Sequence, residues 1–170
     1  MPLKVLMVHN RYLQRGGEDV AFETDCRLLR EGGDTVDVYE EDNRRVTALG
    51  KVRSAARTVW SAETYRSIRA RLRQTRYDCV HVHNFFPLVS PAVYHAARAE
   101  GVAVIQSLHN YRLLCPKATL FRDSRVCEDC AGRFVPWPAV VHSCYRGSAA
   151  ATLAVSAMIV AHRALRTWRS

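Results

Sequence analysis

The stretch Lys4-Val-Leu-Met-Val-His-Asn-Arg-Tyr-Leu-Gln-Arg-Gly-Gly-Glu-Asp-Val20 decides the fold. Lys4–Val8 is a short apolar run with β-branched residues. It ends on His9-Asn10 and a polar loop, the pattern of a strand buried in a parallel sheet. Gly16-Gly17 closes the loop. The segment from Glu18 to Arg30 then puts Val20, Ala21, Thr24, Leu28 and Leu29 on one predicted inner helix face. Glu18 and Asp19 occupy the first turn, where the helix dipole favours acids, and Gly32-Gly33 supplies the stop.

Working outward, the same alternation returns. Thr35–Tyr39 predicts a second strand, and an arginine-rich helix follows over roughly Val52–Arg73. Asp78–His83 predicts a third strand, Ser90–Glu100 a third helix and Val102–Leu108 a fourth strand. Crossovers of this length imply parallel pairing. The expected fold class is therefore α/β, a Rossmann-like doubly wound parallel sheet. Periodicity is lost after Leu108. Residues 109–146 hold four of the six cysteines and three of the six prolines, and are expected to be an irregular Cys-rich insertion after the fourth strand. Gly147–Trp168 returns to helix, with Leu153, Ala157, Val160, Ala161 and Leu165 toward a core. One domain spanning 1–170 is expected. Four strands are few for this architecture, so the sheet is expected to be incomplete.

At 170 residues and 19.3 kDa the chain can bury one sizeable core. With 48% hydrophobic and 24% charged residues it is neither disordered nor fibrous. The longest stretch free of both charged residues and histidine, Gly147 to Ala161, is Ala/Ser-rich and falls short of the roughly 20 apolar residues a bilayer requires. The N-terminal apolar run is too short for a secretory signal and contains Lys4. A cytoplasmic location is expected, at the inner face of the membrane if a charged surface is used. Thiols stay reduced there, so the six cysteines call for a role other than disulfides.

The net charge of +9 is unevenly placed. Residues 1–43 carry ten acids and five bases, whereas Arg44–Arg76 carries ten bases against Glu63 alone. Val52, Ala55, Ala56, Val59, Trp60, Ile68 and Leu72 form an apolar stripe at helical spacing with arginines between them. A solvated arginine face accounts for that pattern without a partner. Peripheral contact with acidic phospholipid is the functional alternative. Arginine and alanine excess also follows from GC-rich coding, so basicity alone does not point to nucleic acid.

Three constellations carry chemistry. Glycines between a strand end and a helix start let a ligand approach the backbone, and free N–H groups there favour phosphate. The loop Asn10–Asp19 lacks both the Gly-x-Gly-x-x-Gly fingerprint and the Gly-Lys-Ser/Thr of a P-loop, which disfavours NAD and P-loop nucleotide binding. His9-Asn10, His81/His83-Asn84 and His109-Asn110 each close a predicted strand. Strand carboxyl ends line the ligand crevice of open α/β sheets, and Asn and neutral His suit hydroxyl-rich ligands. Finally, Cys127-Glu-Asp-Cys130 can place two thiolates on one zinc, with Cys115 and Cys144 closing the site and His142 as a substitute ligand. Free thiols and a redox pair compete with that assignment. Cys26 and Cys79 lie on apolar faces and are expected in the core.

Taken together, these residues resemble the N-terminal domain of family 4 glycosyltransferases, retaining enzymes of the GT-B fold. The resemblance runs through Lys4-Val-Leu-Met-Val-His-Asn, Gly16-Gly17-Glu18-Asp19-Val20, Asp78-Cys-Val-His-Val-His-Asn-Phe-Phe-Pro87 and Val104-Ile-Gln-Ser-Leu-His-Asn-Tyr-Arg-Leu-Leu-Cys115. It continues through Cys127-Glu-Asp-Cys130 to Cys144-Tyr-Arg-Gly-Ser148 and so covers essentially the whole chain. It implies that Gly16 and Gly17 address the diphosphate of a nucleotide-sugar donor and that His109 is catalytic, beside the transferred sugar. Glu18, His83, Asn84 and Asn110 fall on the acceptor side. The family's C-terminal domain, with its paired-glutamate motif and basic diphosphate-binding residues, has no counterpart in these residues. The expected protein is thus the N-terminal half of a retaining glycosyltransferase serving cell-surface glycan synthesis, its acceptor lipid-linked or free. It needs a C-terminal donor-binding domain or partner chain and is inactive alone. The rival is a non-enzymatic, zinc-stabilised module that holds an anionic polymer or a membrane surface.

Overall fold

Residues 1–168 are described by a computed structural model of the chain. Strand β1 (Lys4–Arg11) is buried without a break from Val5 to Asn10. Only a strand covered on both faces can be so, and its pairing is accordingly parallel. β1 lies between β2 (Thr35–Asp42) and β3 (Cys79–Val82), and β3 pairs with β4 (Ala103–Gln106), giving the order β2-β1-β3-β4. The four parallel strands form the Rossmann-like α/β sheet anticipated from the alternation.

Helix α1 (Gly17–Glu31) connects β1 to β2. Its Phe22 and Cys26 pack with Val5, Met7, Val36 and Cys79, which confirms both cysteines as core residues. The predicted inner face is out of phase. Val20 is 42% and Leu28 52% exposed, whereas Asp19 is buried. The helix turns polar residues inward because buried polar partners on the sheet satisfy them. Counting apolar residues alone misses such a stripe.

The arginine-rich segment is also not one helix. It forms α2 (Arg45–Leu49), α3 (Lys51–Val59) and α4 (Ala62–Gln74). Trp60 is extended (φ −149°, ψ 118°), and Ser61 caps α4, its hydroxyl accepting the Thr64 N–H at 3.1 Å. A good N-cap restarts a helix and so breaks the continuous one. Much of the arginine excess is matched by acids within the chain. The Arg57 guanidinium, 10% exposed, donates to Glu41 at 2.6 Å, Glu63 at 2.7 Å and the Leu88 carbonyl at 2.8 Å. Arg69 and Arg73 converge on Glu100.

The connection from β3 to α5 (Ala92–Ala99) is unusually buried for a loop, with Phe85, Phe86, Leu88 and Val89 all inside. The Asn10 side chain accepts the Leu88 N–H at 2.8 Å, and Asn84 donates to the Asn10 carbonyl at 2.8 Å. Ser90 adopts a left-handed conformation (φ 60°). Its hydroxyl accepts the N–H of Ser61 at 2.8 Å and that of Ala92 at 3.2 Å.

The chain divides into two compact units, Met1–His109 and Asn110 onward. The division falls one residue past Leu108, the point where sequence periodicity is lost. In the second unit, β5 (Phe121–Arg122) and β6 (Arg125–Val126) form an antiparallel hairpin absent from the sequence expectation. Its two turn residues, Asp123 and Ser124, are both left-handed (φ 52° and 61°), as a tight hairpin demands. Helices α6 (Trp137–Val141) and α7 (Ala149–Ala164) complete the unit, α7 beginning at its cap Ser148. α7 buries Val155, Met158 and Ile159, but Leu153 and Leu165, assigned to the core from sequence, are 58% and 54% exposed. No helix among the described residues is long and apolar enough to cross a membrane.

Candidate functional site

Strand register brings the polar strand ends level. Val5 pairs with Cys79 and Met7 with His81, and the His83 N–H donates to the Val8 carbonyl at 2.9 Å. Pleating sends alternate residues to one face. His9 at the end of one row, and His81 and His83 at the end of the next, therefore meet the same helix, α1.

His9 is fully buried. Its ring stacks on Phe22 at 4.5 Å, and its Nε2 lies 2.9 Å from Asp19 Oδ1. The other Asp19 oxygen accepts the Gly16 N–H at 2.8 Å. Burial alone would raise the Asp19 pKa, but the Gly16 N–H and His9 outweigh it and hold the carboxyl below its ordinary range. Asp19 thus ties the end of β1 to the glycine loop.

His83 is buried as well, edge-on to Phe22. Its Nδ1 lies 3.1 Å from Nε2 of His109, which is exposed just beyond β4. Burial, reinforced by the imidazoles of His81, His109 and His9, pushes the His83 pKa down to about 3. His83 is therefore neutral at physiological pH and backs the exposed His109. His81 lies 4.5 Å from His83, ring to ring, and its Nε2 is 2.9 Å from the Ser107 hydroxyl.

Gly16 and Gly17 stand at the mouth of the β1–α1 turn. Gly16 is extended (φ −121°, ψ −176°), a conformation open to any residue. A Cβ on Gly16 would meet only Asp19 Oδ2, at an ordinary 3.9 Å, and one on Gly17 would meet nothing within 4 Å. Neither left-handed backbone nor internal packing accounts for the pair. Glu18 is half-buried in the first turn of α1.

The first unit thus brings Gly16, Gly17, Glu18, His83 and His109 to the carboxyl edge of one sheet. Asn84 is there too, but both ends of its amide are used internally: Nδ2 on Asn10 and Oδ1 on the Phe86 N–H at 2.9 Å. Asn110 begins the second unit, where its Oδ1 accepts the Arg112 N–H at 2.9 Å. Cys115, Cys127, Cys130 and Cys144 are free thiols of that unit. Burial raises the Cys130 pKa, a backbone hydrogen bond from Ala139 opposes the rise, and the other three cysteines add to it. Among the described residues, the atoms of Asp25, His81 and His83 lie within 4.8 Å of one another; the four sulfurs form no such group. Asp19, Asp25 and Ser107 were not picked out by sequence reasoning. Helical spacing of residues 19, 22, 25 and 26 in α1, set against the period of two through 79, 81 and 83, is the signal that could have found the two aspartates; no such signal marks Ser107.

A family model described as the glycosyl transferase 4-like domain matches residues 10–168. The chain belongs to that family. No match emerges among curated proteins or among solved structures. The glycosyl transferase 4-like match takes in the β1 end, the glycine turn, His83, His109 and all four cysteines of the second unit, and it places the chain in the transferase class.

Proposed function

We propose that this glycosyl transferase 4-like chain is the acceptor-side half of a retaining GT-B glycosyltransferase. It would move a sugar from a nucleotide-diphosphate donor to an acceptor hydroxyl in cell-surface glycan synthesis. The observation that carries the proposal is the pair Gly16-Gly17, for which the chain itself has no need. A side chain there would project into open space beside the N-terminus of α1, where the N–H groups would face the donor diphosphate. His109, the exposed member of the imidazole pair, would sit beside the transferred sugar. Glu18 would address acceptor hydroxyls directly, with His83 and Asn84 holding that edge from inside. The acceptor role of Asn110 rests on the family resemblance. The cations that balance a leaving diphosphate would come from a C-terminal donor-binding domain, in a longer chain or a partner. Pairing of Arg57, Arg69 and Arg73 with acids weakens the rival anionic-surface module.

The test is nucleoside diphosphate release from a panel of nucleotide sugars, by residues 1–170 alone and joined to a GT-B donor-binding domain. Release only in the joined form is expected, and robust turnover by the chain alone would overturn the half-site arrangement. Gly17→Ala sharpens the test, because its two effects have opposite signs. At an unstrained helix start the substitution should stabilise the fold by about 0.4–1 kcal/mol, through a less flexible unfolded chain. The added methyl should nevertheless lower donor use about tenfold or more by holding the diphosphate off the backbone. Unchanged activity would remove the glycine turn from donor binding.

We also propose a structural zinc on Cys115, Cys127, Cys130 and Cys144. Supporting it are the Cys127-Glu-Asp-Cys130 spacing and the tight hairpin that leads into Cys127, although the four sulfurs must draw closer to share one ion. Chelator should then lower the melting temperature, and Cys127→Ser should release about one equivalent of zinc. Stability indifferent to chelator would count against it.

A further inference from the structure

We propose that Asp25, His81 and His83 form a second, separate binding site for a divalent transition-metal ion, with zinc the best match. The inference stands independently of the transferase proposal, since it rests on three side chains of the sheet and α1.

His83 Nε2 is fully buried yet has no hydrogen-bond partner. Asp25 Oδ2 approaches it to 3.4 Å without making a hydrogen bond. That spacing is poor for a hydrogen bond and right for two ligands of one ion. Bonds of about 2.0–2.2 Å at tetrahedral angles hold neighbouring ligand atoms about 3.4 Å apart. His81 supplies the third ligand atom, all three lying within 4.8 Å of one another. Closing the remaining gap falls chiefly to Asp25, the more exposed ligand, while His81 stays held by Ser107. Asp25 is 42% exposed on its side chain and His81 is half-buried. The same opening gives an ion its way in and leaves a fourth position to water.

The outer contacts support the same assignment. Metal-bound histidines characteristically donate their second ring nitrogen to a neighbouring acceptor, which fixes the tautomer. Here His81 Nε2 meets the Ser107 hydroxyl at 2.9 Å, leaving Nδ1 for the ion. His83 Nδ1 meets His109 Nε2 at 3.1 Å, leaving Nε2 for the ion. Two imidazoles and a carboxylate suit zinc better than calcium or magnesium, which prefer all-oxygen shells. With the ion in place, His83 must donate from Nδ1, so His109 accepts at Nε2 and carries its own proton on Nδ1. The metal thereby sets the tautomer of the exposed histidine.

The experiment is a zinc chloride titration of the chelator-stripped full chain, followed by histidine-ring NMR, which separates this site from the cysteines residue by residue. The rings of His81 and His83 are expected to shift together and saturate at one ion. The same shifts should persist when Cys127 and Cys130 are changed to Ser. Asp25→Asn, at an exposed position that should leave the fold intact, is expected to weaken binding tenfold or more, and His81→Gln to do the same. Silent His81 and His83 rings under excess zinc would overturn the site. So would shifts of undiminished affinity in both Asp25→Asn and His81→Gln.

Discussion

Arg57→Ala is expected to lower the folding stability of the chain by about 3 kcal/mol, the lower end of what stranding one partner of a buried ion pair costs. The guanidinium fills all its roles at once. It bonds Glu41, 3% exposed on its side chain, Glu63, and the carbonyl of Leu88 in the buried β3–α5 loop. Its removal strips one cation from a buried carboxylate and a donor from a buried carbonyl. Arg45, 2.6 Å from Glu41 but 48% exposed, remains as a weaker partner and keeps the loss from being larger. Urea unfolding gives the measurement, and a fall in melting temperature of roughly 6–12 °C should accompany it. Arg57→Lys should recover little, because an ammonium cannot reproduce the planar fork. A loss below about 1 kcal/mol would mean that the ion pair contributes no more than a surface one.

In a two-domain enzyme completed with a donor-binding domain, His109→Ala is expected to lower kcat by about 100-fold, equivalent to about 2.7 kcal/mol of transition-state stabilisation. The proposed transfer develops positive charge on the sugar and negative charge on the departing diphosphate. A side chain that acts on those charges affects kcat more than KM. His109 is suited to that part because it is exposed while its Nε2 is anchored on buried, neutral His83. The ring is exposed, but its loss also takes the partner from buried His83 Nδ1, so urea unfolding of the variant accompanies the assay. Stopped or continuous assay of sugar transfer at saturating donor and acceptor provides kcat. A value within about threefold of wild type would remove His109 from the reaction.

Sequence patterns revealed the sheet well and the site less well, for one physical reason. β1 was legible because a strand buried on both faces leaves an uninterrupted apolar run before a polar end, and β3 because valines alternate with histidines along it. The end of the α/β alternation near Leu108 was legible because periodicity stops there, but one domain was expected where the chain forms two compact units, divided after His109. α1 misled because its inner face mixes Phe22 and Cys26 with Asp19, and hydropathy counting discards a carboxylate that a buried histidine satisfies. The split at Trp60-Ser61 was hidden inside a continuous apolar stripe, and only the cap bond of Ser61 reveals it. Among site residues, sequence could place His83, Asn84 and His109 at strand ends but could not tell an exposed ring from a buried one. His83 and Asn84 face inward and serve neighbours, and His109 alone of the three faces out.

The β3–α5 loop carries a consequence for motion. It is held from β1 through Asn10, from α3 through Arg57 and from the start of α4 through Ser90, with no exposed face at Leu88, Val89 or Ser90. Loops at the carboxyl edge of an open α/β sheet are commonly pictured as lids with low local opening energies. This one has no such independence. Its amides can exchange with solvent only in the event that also releases β1 and the cap of α4, so in folding terms the loop belongs to the most cooperative part of the first unit.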